Sequence, residues 1–147
     1  LFTRSEAKAE EARRQGADHV IVSTDPEQMK AAAGHFDFLL DTIPVPHDLN
    51  PYLETLTFDG VHILVGLIEP VEPALNAFNL VFKRRVLAGS LIGGIAETQE
   101  MLDFSAEHGI TCDIEMLDIK NINEAFERVV KGDVKYRFVI DMKTLKA

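Results

Sequence analysis

The sequence predicts an α/β protein built on a parallel sheet, and three observations carry that reading. Val20-Ile21-Val22 is a short β-branched run with no polar alternation, as expected of a strand covered on both faces. Further apolar runs follow, separated by segments of helical composition at a spacing that suits right-handed β-α-β crossovers. Two of these runs, 61–66 and 86–94, break into glycine at their ends. Parallel sheets use that device to let a ligand approach the backbone at the carboxyl ends of their strands. The plainer reading of 86–94 is a turn that needs glycine only for sharpness.

Taken in order, Leu1-Phe2-Thr3 reads as the last residues of a strand. Residues 5–15, rich in Ala, Glu, Lys and Arg, form a helix with Ser5 as its N-cap and Gly16 as its stop. After strand 20–22, Asp25-Pro26-Glu27 combines an N-cap, a proline at the first helical position and an acid in the first turn, opening a short helix that Gly34 ends. Residues 36–41 make a strand closed by Pro44 and Pro46, 48–56 a helix, and Asp59-Gly60 a turn before strand 61–66. Prolines and acids make a loop of 68–73, and an apolar helix over 74–82 feeds the basic triplet Lys83-Arg84-Arg85. The strand from Val86 follows, then a helix over 97–107 that ends at His108-Gly109. The pattern then changes. An alternating strand over 113–117, an amphipathic helix over 122–131 stopped by Gly132, and an alternating strand over 136–140 mark a second unit, so 1–109 and 110–147 are expected to be distinct.

With 147 residues, 46% of them hydrophobic, the chain can bury a real core. Fifteen Lys and Arg stand against 24 Asp and Glu, and the net charge of -9 argues against nucleic acid as a partner. Cys112, the single cysteine, excludes an internal disulfide and a cysteine-rich zinc site built from this chain. It reads as a small buried hydrophobe in a reducing, cytoplasmic setting. No apolar run approaches the roughly 20 residues of a membrane helix, and no leader pattern is present. The sequence lacks an initiator Met and opens inside a strand, so it is expected to be a piece of a longer chain.

Chemistry concentrates first at Thr3-Arg4-Ser5 and Lys8, a strand end and the first turn of a helix. Two hydroxyls, a guanidinium and an ammonium together suit a phosphate monoester. In dinucleotide-binding sheets the position after the second strand is acidic for NAD, and basic with hydroxyls where the ribose carries a 2′-phosphate. No acid stands at Thr3 or Arg4, which favours NADP over NAD in such a sheet. The alternative is a solvated helix start with an ordinary Ser cap. The nine glycines contain no G-x-G-x-x-G. That motif lies between the first and second strands, so a chain entering at the end of the second would not carry it.

His19, His35, His47, His62 and His108 show no H-x-H or H-E-x-x-H spacing, which argues against a zinc site made from them. Ser90 lies in Gly-Ser-Leu-Ile-Gly, which is not a nucleophile elbow. Asp37 and Asp41 read as hydrogen-bonded strand-edge carboxylates. Lys135 and Arg137 are either surface charges of an edge strand or groups that reach a pyrophosphate across a domain boundary.

The order of motifs resembles the C-terminal portion of a zinc-dependent alcohol dehydrogenase of the medium-chain dehydrogenase/reductase superfamily, in its cinnamyl-alcohol-dehydrogenase-like branch. The stretches that carry the resemblance are Thr3-Arg4-Ser5-x-x-Lys8, Phe38-Leu39-Leu40-Asp41-Thr42, Gly60-x-x-x-Leu64-Val65-Gly66, Ala88-Gly89-Ser90-Leu91-Ile92-Gly93, Glu97-Thr98-Gln99-Glu100-Met101-Leu102-Asp103-Phe104, Ile122-Asn123-Glu124-Ala125-Phe126-Glu127-Arg128 and Asp133-Val134-Lys135-Tyr136-Arg137-Phe138. The resemblance implies a Rossmann-like, doubly wound parallel sheet of order 3-2-1-4-5-6, here without its first strand and Gly-rich turn, followed from about Ile110 by a returning segment of the catalytic, GroES-like domain. It implies that Thr3, Arg4, Ser5 and Lys8 hold the 2′-phosphate of NADP(H), and that Thr42 lies near the adenosine. Val65, Gly66 and Leu67, with Ser90, Leu91 and Ile92, would offer backbone groups to the nicotinamide. Lys135 or Arg137 would face the cofactor phosphates or the domain seam. A homodimer through the edge strand 86–92 is implied as well.

The expectation is therefore part of an NADP(H)-dependent zinc enzyme that interconverts primary alcohols and aldehydes by hydride transfer. Its zinc ligands and catalytic residues would lie upstream of this chain, which alone is expected to bind cofactor poorly and to be inactive. Two other readings stand beside it. One is a Rossmann-like nucleotide-binding or interaction module without catalysis, and the other a zinc-free reductase of the same superfamily.

Overall fold

The computed structural model describes residues 1–66 and 69–145. They form two compact units, Leu1–Ile92 and Gly93–Ala147. In the first, β1 (Phe2–Thr3) pairs in parallel with β2 (Ile21–Val22), while β3 (Phe36–Asp41), β4 (Leu56–Leu64) and β5 (Val86–Gly89) form a second parallel sheet in that order. The α/β class with parallel strands is as expected. Among the described residues these strands form two separate parallel sheets, β1-β2 and β3-β4-β5.

The helices of this unit are short: α1 (Ala9–Arg14) behind a 3-10 turn at Glu6–Lys8, α2 (Pro26–Ala31), α3 (Asn50–Thr55) and α4 (Phe78–Val81). Asp25 caps α2 as the sequence indicates, its carboxylate accepting from Glu27 N at 2.9 Å and Gln28 N at 3.3 Å. Ser5 does not cap; its side chain makes no such bond, and the turn after it starts as 3-10. The glycines expected to stop helices, Gly16, Gly34, Gly109 and Gly132, all have positive φ.

Two boundaries depart from the sequence reading. β4 begins at Leu56 and takes in Asp59-Gly60 as an irregularity, because fully buried Leu56 already pairs with Phe36. Asp59, at φ 59°, interrupts the ladder and donates its N–H to Lys83 O. Helix α4 covers only part of 74–82, since the Asn76 side chain accepts from Phe78 N and sets the start.

The core gathers Leu49, Leu53 and Leu56 with Thr55 and His62. Alternation along β3 sends Leu39 and Asp41 to one face and Phe38 and Leu40 to the other, where they are 55% and 58% exposed. Arg85, 9% exposed, ties the end of α3 and the start of β4 to α4 through Glu54 O, Leu56 O and Asn79 O.

The second unit holds α5 (Ile95–Glu107), β6 (Ile114–Asp118), α6 (Ile122–Val130) and β7 (Arg137–Asp141), with β6 and β7 parallel. The units divide ahead of α5, which the sequence reading counted with the first; α5 has no buried residue. Arg128 on α6 reaches Glu115 on β6 at 2.8 Å and stacks over Phe138 on β7. Cys112 is exposed, not buried as expected, because the segment ahead of β6 carries no regular structure that would cover it.

Candidate functional site

Parallel pairing of β1 with β2 aligns the ends of both strands. Ser23 N donates to Thr3 O at 2.8 Å, and the Thr24 hydroxyl donates to Arg4 O at 3.2 Å. The result is a groove of about 390 Å³ lined by Thr3, Arg4, Ser5, Lys8 and Thr24. All four residues singled out from the sequence here line one surface. Thr24 was missed; it lies two residues beyond β2, as Ser5 lies two beyond β1. The lining has two cations, three hydroxyls and no carboxylate, a donor set suited to a phosphate.

A second cluster lies at the carboxyl ends of β3, β4 and β5. Val65 N and Gly66 N donate to Asp41 O at 2.9 and 3.3 Å, and Ser90 N to Leu64 O at 3.0 Å. Their N–H groups are committed to the sheet, so carbonyl oxygens are what Val65 and Gly66 present. Gly66 has no side chain because none fits. A Cβ there would stand 2.5 Å from the carbonyl carbon and oxygen of Thr42. Thr42, Ser90, Leu91 and Ile92 are exposed. Leu67, expected beside them, lies outside the described residues. Arg137 opens β7 in the second unit and is exposed, and Lys135 N donates to Glu115 at 3.2 Å.

Between these clusters sits a network the sequence did not reveal. Asp41 Oδ2 lies 2.9 Å from His47 Nε2 and 3.1 Å from His62 Nε2, and Oδ1 accepts from Ile43 N at 3.0 Å. Burial alone would push the Asp41 carboxyl up, but the Ile43 N–H and the two histidines hold it below the usual range. Burial lowers the pKa of His62, against the pull of Asp41. His47 and Asp48 line a groove of about 500 Å³ that also takes in Thr3, Arg4 and Thr24, so the network borders the cationic end. Among the described residues no group of three or more His, Cys, Asp or Glu could hold a metal ion.

The zinc-binding dehydrogenase family model matches residues 1–107. The aldehyde reductase YahK of Escherichia coli is 54% identical over 144 residues, covering 98% of this chain and 41% of that protein. A cinnamyl alcohol dehydrogenase of Sorghum bicolor, SbCAD4, superposes with a TM-score of 0.88 at 41% identity over 99% of this chain and 41% of its own. A cinnamyl alcohol dehydrogenase of Helicobacter pylori, complexed with NADP(H), superposes at 0.76 and 41% identity over 97% of this chain and 40% of its own. The chain thus spans about 41% of the length of the relatives it matches.

Proposed function

Because this chain belongs to the zinc-binding dehydrogenase family, we propose that it forms the cofactor-holding part of an NADP(H)-dependent zinc alcohol dehydrogenase that interconverts primary alcohols and aldehydes. The groove at the end of β1 carries the reading: Arg4, Lys8 and the hydroxyls of Thr3 and Ser5 face a common space free of carboxylates. An acid at this position would select the unphosphorylated ribose; these donors select a 2′-phosphate. The NADP(H) complex of the Helicobacter pylori relative supports the same choice.

When bound, the nicotinamide cofactor supplies hydride to an aldehyde or takes it from an alcohol. In this reading the chain's own work is to bind and orient. Arg4 and Lys8 offset the phosphate charge, and Thr24 steadies the Arg4 backbone through its carbonyl. Thr42 borders the adenosine. The carbonyls of Val65 and Gly66, with backbone groups of the 90–92 segment, meet the nicotinamide and its carboxamide. Arg137 or Lys135 serves the cofactor phosphates or the domain seam, with 110–147 read as the returning catalytic-domain segment. The described residues do not fit a catalytic zinc. In this reading its ligands lie outside them, and nothing assigned to this chain runs through a metal. Val86, Leu91 and Ile92, exposed by 47%, 73% and 86%, support a homodimer through the edge strand. The single cysteine supports a cytoplasmic setting.

The test is a nuclear magnetic resonance titration of the ¹⁵N-labelled chain with 2′,5′-ADP and, separately, 5′-AMP. Shifts from 2′,5′-ADP are expected at Thr3, Arg4, Ser5, Lys8 and Thr24. Losing one charge-assisted contact costs about 1.5–3 kcal/mol, so Arg4→Ala is expected to weaken 2′,5′-ADP by roughly 10- to 100-fold and leave 5′-AMP unchanged. Equal response to both nucleotides, or an indifferent Arg4→Ala, would refute the assignment.

A further inference from the structure

Asp41 joins three pieces of backbone. Its side chain holds Ile43 N and two histidines, and its carbonyl holds Val65 N and Gly66 N at the end of β4. The segment that leaves β3 lies so close over Gly66 that a methyl group would strike the Thr42 carbonyl at 2.5 Å. The same carboxylate therefore fixes both where Thr42 and Ile43 cross and what they cross over.

The two histidines are not equivalent. His47 Nδ1 is 2.9 Å from Val45 O and its Nε2 2.9 Å from Asp41 Oδ2. A peptide carbonyl and an ionised carboxylate both only accept, so His47 satisfies the two together only as the doubly protonated imidazolium. His62 Nε2 faces the same carboxylate oxygen, but its Nδ1 is buried and has no partner among the described residues. Protonating Nδ1 would strand a donor in the core beside the His47 cation, so His62 is the neutral Nε2–H tautomer. The cluster then holds one carboxylate, one imidazolium and one neutral ring, a balance that buried charge requires. The other titratable groups facing His47 are Tyr52 on α3, with ring centroids 5.9 Å apart, and Arg4 and Asp48 along the shared groove.

We propose that Asp41, His47 and His62 form a proton-dependent clamp that positions the Thr42–Ile43 backbone for the adenosine side of the cofactor. The inference rests on the cofactor reading above. With His47 protonated, the segment from Thr42 to His47 is held at both ends. When His47 gives up its proton, one of its two bonds is lost and the segment loosens over Gly66. These are positioning residues, acting through Thr42 and Ile43.

The experiment is run on the full chain with 2′,5′-ADP as the probe. Side-chain ¹⁵N spectra are expected to show His47 passing from imidazolium to a neutral ring across its titration, and His62 as a single Nε2–H tautomer throughout. The dissociation constant of 2′,5′-ADP is expected to rise about tenfold as pH passes upward through the His47 midpoint. His47→Leu, whose side chain is 15% exposed, is expected to bind weakly at every pH, with the amide spectrum of the rest of the chain checking that the variant folds. Asp41→Asn is expected to do the same and to free His47 from its pairing. A wild-type chain whose binding does not follow the His47 midpoint, or a His47→Leu chain with an unaltered pH profile, overturns the clamp while leaving the cofactor reading intact. Titration to millimolar 2′,5′-ADP that leaves Thr3, Arg4, Ser5 and Lys8 unshifted at every pH overturns both, since even weak binding at the groove moves those resonances, and a neutral His47 paired to Asp41 at every pH overturns the clamp alone.

Discussion

Gly66→Ala tests whether the crossing of Thr42 over β4 is as tight as its geometry states. The φ of Gly66 is not in the left-handed region, so alanine is barred only by space. Its Cβ would meet Thr42 C and O at 2.5 Å and Ile43 C at 2.9 Å. Carbon contacts settle at about 3.5–4.0 Å, so the backbone must retreat by roughly 1 Å. That retreat stretches the bond from Ile43 N to Asp41 Oδ1, now 3.0 Å, or those from Val65 N and Gly66 N to Asp41 O, now 2.9 and 3.3 Å. One or two lost bonds at about 1 kcal/mol each, with overpacking strain of about 1–3 kcal/mol, total roughly 2–5 kcal/mol. Urea denaturation reads this as a lowered midpoint at unchanged slope. The control is Gly89→Ala, where the nearest atom is Leu64 O at 3.9 Å and the added methyl meets only an ordinary contact. If Gly66→Ala costs no more than Gly89→Ala, the packing argument and the role given to the Thr42 crossing both fall.

Arg85→Met is expected to destabilise the first unit by about 3 kcal/mol, because Glu54 O, Leu56 O and Asn79 O each lose a buried donor, at roughly 1 kcal/mol apiece. Arg84→Met, which removes an exposed pair with Asp59, is expected to cost far less; equal losses in urea melts would refute the division. His62 has a lowered pKa in the folded chain, so the unfolded chain binds its proton first as pH falls. Its contribution to stability is whole above pH 6.5, the ordinary value, and is lost below it. The difference in stability between the wild type and His62→Leu is therefore expected to shrink as pH drops from about 7 toward 5, and a constant difference would refute the assignment.

Local signals were legible where local chemistry decides the outcome. The Asp25-Pro26-Glu27 start needs only three consecutive residues, and the structure builds the cap from those three. The helix-stopping glycines need only a positive φ, and all four have it. Thr3, Arg4, Ser5 and Lys8 fall within six consecutive residues, so their convergence required no knowledge of distant chain. Even here Ser5 misled, because a Ser before a helical run signals a cap whether or not the first turn is 3-10.

The rest depends on register, which composition does not encode. Thr24 reaches Arg4 because Thr3 pairs with Val22, and His62 reaches Asp41 because Leu39 pairs with it across the sheet. The intervening crossovers set those alignments, and their lengths follow no motif. The basic triplet shows the same limit at the scale of adjacent residues. Lys83 is half-exposed, Arg84 turns out at φ 51° to meet Asp59, and Arg85 turns in to hold three carbonyls. A residue with left-handed φ between two others redirects the chain, so neighbours that read as one charged patch end on opposite sides of the surface. For His47, His62 and Asp41 the consequence is functional. Spacing rules that look for several histidines on one element pass over a pair recruited by one carboxylate from a loop and a neighbouring strand. The orphaned Nδ1 of His62 becomes visible only once the core around it is built.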